Sequence, residues 1–234
     1  QRTLRANRRD AQSGVDNGLG NSQKSSPYQR GAIEGYGGDG LLSFSADPDT
    51  LAKYQSVGLS LPNINQVDSA SSAVAYNADM TSAMSGHRLG AQVEIKSAED
   101  LASSNLFRTE SGSGFAIKPD GDIVAVFASP SEPKGGSYSM LQAAVQAGGK
   151  KLDAFDTYLP DIYESVGFRP VARLPWNDEF APPGWDKNAF SKYSNGEPDV
   201  VFFVHDAEYF GGATDVPVVT NYDDAVRLQN EASK

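Results

Sequence analysis

The sequence predicts a mixed α/β (α+β) domain through its central and C-terminal parts, preceded by a polar N-terminal arm. Three observations carry this expectation. Gly114-Phe115-Ala116-Ile117-Lys118 and Ile123-Val124-Ala125-Val126-Phe127-Ala128 have strand character, and Pro119-Asp120-Gly121-Asp122 between them reads as a hairpin turn. Met140, Leu141, Ala144 and Val145 then recur at helical spacing, and Gly148-Gly149 ends that run. The first forty residues, by contrast, are rich in Gly, Ser, Asn, Gln and Arg with almost no apolar periodicity. Such a stretch buries too little apolar surface to offset its ordering entropy, so 1–40 is expected to be a flexible arm unless a neighbour holds it.

The chain has 234 residues, enough for one domain with a sizeable extension. It contains no cysteine, which excludes disulfides, thiolate–metal sites and a cysteine nucleophile. The formal net charge of −10, from 20 basic and 30 acidic side chains, argues against a free surface for duplex nucleic acid. Arg2, Arg5, Arg8 and Arg9 nevertheless make the arm basic, suited either to solvent or to an acidic partner. No apolar run approaches the roughly 20 residues that span a bilayer, and no signal peptide is visible. The expectation is a soluble chain without membrane contact, in a host cytoplasm or a virus particle. It begins at Gln1 rather than methionine, as a processed product or a piece of something longer would.

Residues 41–90 read as a helical N-terminal extension. A short helix is expected at 49–55 with Asp47 or Asp49 as its cap and Gly58 as its stop, and a second within the Ala- and Ser-rich stretch 66–86. A core follows over 91–206. Ala91-Gln92-Val93-Glu94-Ile95 alternates as a strand would, and Ser97-Ala98-Glu99-Asp100 opens a helix in the manner of a capping box. After the hairpin and the helix near 137–147 come a strand at 152–155 and a helix from Leu159 to Val166, stopped by Gly167. Strands at 169–174 and 200–204 flank a loop rich in Trp and Pro. Residues 207–234 form a C-terminal tail, with Asn221 capping a helix from 222 to about 230.

From 114 to 204 this order of strands and helices resembles the GNAT acyltransferase superfamily. The stretch Leu159-Pro160-Asp161-Ile162-Tyr163-Glu164-Ser165-Val166-Gly167-Phe168 carries the likeness most specifically. The wider string, with Trp176 and Pro182-Pro183-Gly184-Trp185, is similar to GNAT-like domains of phage and mobile-element proteins. The resemblance implies a mostly antiparallel central sheet flanked by helices, and transfer of an acetyl group from acetyl-CoA to an amine. Tyr163 would protonate the departing thiolate, and the strand bearing Val124 and Val126 would hold the pantetheine arm and polarise the thioester carbonyl. Lys134-Gly135-Gly136-Ser137 would cradle the diphosphate at a helix N-terminus.

Two departures stand against this. Glu132 occupies the position where the family carries Arg or Gln, and the strand at 123–128 lacks the family's Glu. A general base must then come from elsewhere, with Glu94, Glu110, Asp153 and Asp156 as candidates. The Gly-rich loop reads equally well as a plain turn before a helix, and Tyr163 as a partly buried helix aromatic. His87 and His205 show no metal-ligand spacing, and no G-x-S-x-G elbow is present. Trp176, Phe180, Trp185 and Phe190 form either a substrate or partner platform or a packed cover over a sheet edge. Three functions follow: an N-acyltransferase acting on a small molecule or an amine-bearing protein; a non-catalytic GNAT-fold module of a virion or mobile-element protein, docked through residues 1–40 onto a protein neighbour; or an acidic inhibitor of a host protein.

Overall fold

The computed structural model of the chain describes residues 30–38, 40–213 and 215–234. Most of the predicted arm, residues 1–29, lies outside the described residues. Its last part does not behave as an arm. Glu34–Gly38 (β1) is a strand and pairs antiparallel with Leu41–Ser45 (β2), Gly35 facing Phe44 so closely that a Cβ there would stand 2.8 Å from the ring. The glycines read as punctuation therefore form an edge hairpin.

Pro48–Ser56 (α1) follows, with the Asp47 carboxylate accepting from the amides of Asp49 and Thr50 at 3.0 Å, and Gly58 turning the chain at φ +75°. Ile64–Val67 (β3) adds a third strand, and Ser69–Ser85 (α2) begins at an Asp68 cap. The segment 41–90 is thus not a helical extension. Its strands continue the sheet, and Ile33, Phe44, Tyr54 and Ile64 join the same core as Phe115 and Leu141.

The strand expected at 91–95 is absent. A 3-10 turn at Gly90–Gln92 stands there, forced by the approach of Gly90 to the end of α2, where a Cβ would collide with the Met84 carbonyl. Ala98–Ala102 (α3) opens on Ser97, whose hydroxyl accepts from the Asp100 amide at 3.1 Å. Asn105–Thr109 (β4), Gly114–Ile117 (β5) and Ile123–Phe127 (β6) then complete a six-stranded antiparallel sheet in sequential order β1 to β6.

Gly136–Gln146 (α4) leads to a second sheet. Lys151–Phe155 (β7), Leu159–Ser165 (α5), Phe168–Leu174 (β8) and Val200–His205 (β9) build it, with β9 between β7 and β8 and both pairings antiparallel. Tyr222–Ala232 (α6) is no loose tail. It covers β8 and β9 with Ala225, and the buried Gln229 amide donates to the carbonyls of Leu152 and Phe203 at 2.8 and 3.0 Å. The architecture is mixed α+β, two mostly antiparallel sheets with helices on both faces.

The two sheets share one apolar cluster beneath α4 and α5, yet among the described residues their strands meet at one point only. Asp122 and Lys151 form an isolated parallel bridge, and β6 and β7 have no further ladder. Lys151 secures this point: although it is buried, its ammonium reaches Asp120 at 2.7 Å and Asn230 at 2.6 Å.

Beyond the bridge, β6 is bent by a bulge. The β5–β6 register shifts between Gly114 and Ala116, and Ala125 takes φ +52°. A left-handed alanine costs about 1–2 kcal/mol. The buried Tyr76 hydroxyl of α2 holds it by donating to the Ala125 carbonyl at 2.8 Å, and the Tyr76 ring meets Phe127 edge-on at 5.3 Å. Tyr76→Phe removes that donor and leaves the carbonyl buried and unpaired. It is expected to lower unfolding free energy by about 1–3 kcal/mol in urea titration. A loss near zero would mean that the bulge holds itself.

Candidate active site

Because β6 and β7 part after the bridge, a cleft of about 1780 Å³ opens between the sheets. Its walls are residues 123–128, β6 and the residue after it, on one side and residues 152–155 of β7 on the other. The first turns of α4 and the α5 side chains Leu159, Ile162 and Tyr163 form its base. An unladdered strand edge in such a place offers backbone N–H and C=O groups to a ligand rather than to a neighbour.

Strand alternation puts different chemistry on the two faces of β7. Leu152 and Ala154 turn toward α5 and pack in the cluster that contains Tyr163. The Tyr163 ring lies edge-on to Phe203 at 5.8 Å and to Phe168 at 6.3 Å, and only 7% of the residue is exposed. Burial, with the nearby Tyr158 and Asp153, pushes its phenol far above the ordinary value, so it stays protonated throughout the neutral range.

Asp153 turns the other way, toward α6, where the Tyr222 hydroxyl donates to its Oδ1 at 3.3 Å. Its side chain is exposed to the cleft, and the walls around it displace part of its hydration. Desolvation, reinforced by the charges of Asp122 and Glu94 and opposed by the Tyr222 hydrogen bond, raises it from 3.8 to about 6. A carboxylate near 6 is ionised at neutral pH yet basic enough to take a proton. The cleft thus carries a proton donor on one face of β7 and a proton acceptor on the other.

The other proposed bases divide cleanly. Glu94 lines the cleft but is paired with Lys96 at 2.5 Å. Asp156 is engaged by the Arg173 guanidinium, which also reaches Asp199 at 3.3 Å. Glu110 is exposed and remote from the cleft, with the Asn63 amide donating to it at 3.4 Å.

Of the residues assigned to a donor ligand, Val124 and Val126 line the cleft on β6, and Ser137 lines it from the first turn of α4. Lys134, Gly135 and Gly136 do not. Lys134 is exposed, and its carbonyl accepts from the Ser60 amide at 2.8 Å. Gly135 caps α4 at φ +108°, and Gly136 lies against the Glu132 side chain, where a Cβ would collide with Oε1. Oε2 of Glu132 accepts from Thr109 Oγ1 at 2.8 Å and from Ser111 Oγ. The glycines make room for a carboxylate of the chain itself.

The aromatic loop serves two purposes. Trp185 stacks on Phe190 at 3.8 Å, contacts Phe155 and Trp176, and donates from Nε1 to the Gly196 carbonyl at 2.8 Å, so these rings pack. Trp176 and Phe180 face the cleft, Phe180 with 80% of its surface exposed. Tyr76, Tyr158 and Tyr222 carry no functional motif in the sequence. They belong to apolar helix spacing or stand alone near helix starts. Among the described residues no His, Asp and Glu cluster is suited to a metal ion, and no helix is long and apolar enough to cross a membrane. The chain matches no family model, no curated protein and no solved structure.

The raised Asp153 value has a direct consequence for stability. A carboxyl bound more tightly to its proton in the folded state destabilises the fold as pH rises from about 4 through 6. Asp153→Asn is therefore expected to gain stability over the parent across that window and to hold a constant advantage above it. Urea unfolding at pH 4, 5, 6 and 7 checks this. A difference that does not change with pH would contradict the carboxyl's strained setting.

Proposed function

We propose that the chain is a GNAT-like N-acyltransferase that moves an acyl group from a thioester to an amine within the cleft between β6 and β7. The observation that carries the reading is the open gap between two parted strands, with Tyr163 reaching it from one face and Asp153 from the other. A side-chain-filled gap would have admitted no thioester.

The chemistry follows from the two groups. Asp153 accepts the proton of an incoming ammonium, leaving a free amine to attack the thioester carbonyl. The C–N bond forms as electrons move onto the carbonyl oxygen, where unladdered backbone amides of β6 near the Ala125 bulge offer hydrogen bonds. The C–S bond then breaks, Tyr163 donates its phenolic hydrogen to the leaving sulfur, the nitrogen loses its second proton to water, and the phenolate regains a proton from the Asp153 carboxylic acid through solvent, which restores both groups. Backbone strain at Ala125 fits a strand bent for this purpose.

Acetyl-CoA, the donor that the resemblance implies, fits this site in part. Its pantetheine arm has a channel along Val124 and Val126, whereas the α4 N-terminus, where a diphosphate would sit, is taken by Glu132. That same carboxylate favours a second reading, a non-catalytic GNAT-fold module of a phage particle or mobile element that keeps the cleft only as a relic. Most of its docking arm, residues 1–40, lies outside the described residues, and the last part of it pairs into the sheet as β1. Turnover separates the two. Tyr163→Phe is expected to lower thiol release from a thioester by about 10²–10⁴-fold while the protein stays folded. Equal turnover in the variant would remove Tyr163 from the mechanism, and no release by the parent with any amine would favour the module.

A further inference from the structure

The loop before α4 has a feature that the acyl-transfer reading does not use. The Glu132 side chain lies flat on Gly136, the first residue of the helix, with Oε1 buried and without a partner. Its other oxygen is fixed by two hydroxyls, Thr109 Oγ1 at 2.8 Å and Ser111 Oγ, themselves 2.8 Å apart. An anion at a helix N-terminus interacts favourably with the dipole and with amides left unpaired in the first turn. Here the position is occupied from within the chain: Glu132 lies on Gly136, and the Gly136 and Tyr138 amides already donate to the Pro133 and Gly135 carbonyls, both at 3.0 Å.

The charge of the cleft points the same way. Glu94, Asp153, Asp178 and Glu197 line it, while Lys96 is the lone lysine or arginine on its walls among the described residues, and it is paired with Glu94. Lys187, just outside, is consumed by Asp178 and Glu197 at 2.6 Å each. A diphosphate entering such a cleft would meet like charge and no free cation, whereas an uncharged arm would meet apolar walls and an open strand edge.

Resting on the acyl-transfer reading, we propose that the donor is a thioester on an uncharged pantetheine-like arm, without a nucleotide diphosphate, and that Glu132 is the residue that sets this preference. The arm lies along β6 with its amides paired to the strand edge. Its far end emerges past Ser137 toward a helix start already neutralised by Glu132.

Calorimetric titration of the full chain with S-acetylpantetheine and with acetyl-CoA tests this, alongside Glu132→Gln, which keeps the side chain's shape and an acceptor for Thr109 and Ser111. The two ligands are expected to bind the parent with dissociation constants within about tenfold of each other, near 1.4 kcal/mol. Glu132→Gln is expected to tighten acetyl-CoA by about fivefold and leave S-acetylpantetheine unchanged. Acetyl-CoA binding the parent more than about tenfold tighter would overturn the donor assignment while leaving acyl transfer intact. No binding of either ligand at millimolar concentration would overturn the donor assignment together with the acyl-transfer reading. If Glu132→Gln fails to fold, the comparison in the parent still decides the donor class. If it folds and the ratio of affinities is unchanged, Glu132 does not set the preference.

Discussion

The structure depends on β6 and β7 meeting once and then separating. The bridge between Asp122 and Lys151 joins two antiparallel sheets, and Lys151 is held there by Asp120 and Asn230. From that point the Ala125 bulge, locked by Tyr76, carries β6 away from β7. A straight β6 could continue pairing, and one closed sheet would leave no cleft. The strain at Ala125 persists because the surroundings over-determine it: a buried hydroxyl, a ring on Phe127 and the shifted register all require the same bend.

Everything chemically notable follows from this opening. Tyr163 sits in the shared core yet reaches a cavity, which keeps its phenol protonated. Asp153, on the opposite face of the neighbouring strand, loses part of its hydration to the cleft walls and becomes a better base. Asp153 faces α6 while Leu152 and Ala154 face the side where Tyr163 of α5 packs, because adjacent residues of one strand must point in opposite directions. Folding tolerates an uncomfortable carboxylate there, a cost of the kind functional sites often carry. The mouth of the cleft is edged by Trp176 and the exposed Phe180, while Trp185 and Phe190 behind them are structural.

Much of the second half of this architecture was legible from sequence. Pro119-Asp120-Gly121-Asp122 marked the β5–β6 hairpin, Gly148-Gly149 and Gly167 marked the ends of α4 and α5, and Asn221 caps α6; earlier in the chain the Asp47 and Ser97 caps were also readable. The first half was harder to read. β1 is built from Gly35, Tyr36 and Gly37, whose composition signals a turn, and it is a strand only because β2 supplies a partner and Phe44 a surface. Val93 and Ile95 alternate like a strand, but Gly90 docking on α2 sets the path of that segment. Within the site, Tyr163 and Asp153 could be named in advance from a motif and from carboxylate chemistry. The reversal of the Lys134–Gly136 loop could not, since only the packed structure reveals that Gly136 makes room for Glu132. Ala125 carried no signal, because an alanine rarely adopts positive φ and nothing local demands it.

If the parted edges of β6 and β7 bind a thioester arm, the arm must perturb the amides that line them. Amide chemical-shift mapping of the labelled chain during titration with pantetheine reads this out. Perturbed amides are expected to concentrate at 123–128 and 152–155, extend to Tyr163 and Ser137, and leave the β1–β3 edge unchanged. Perturbations absent from β6 and β7, or confined to the outer strands, would contradict it.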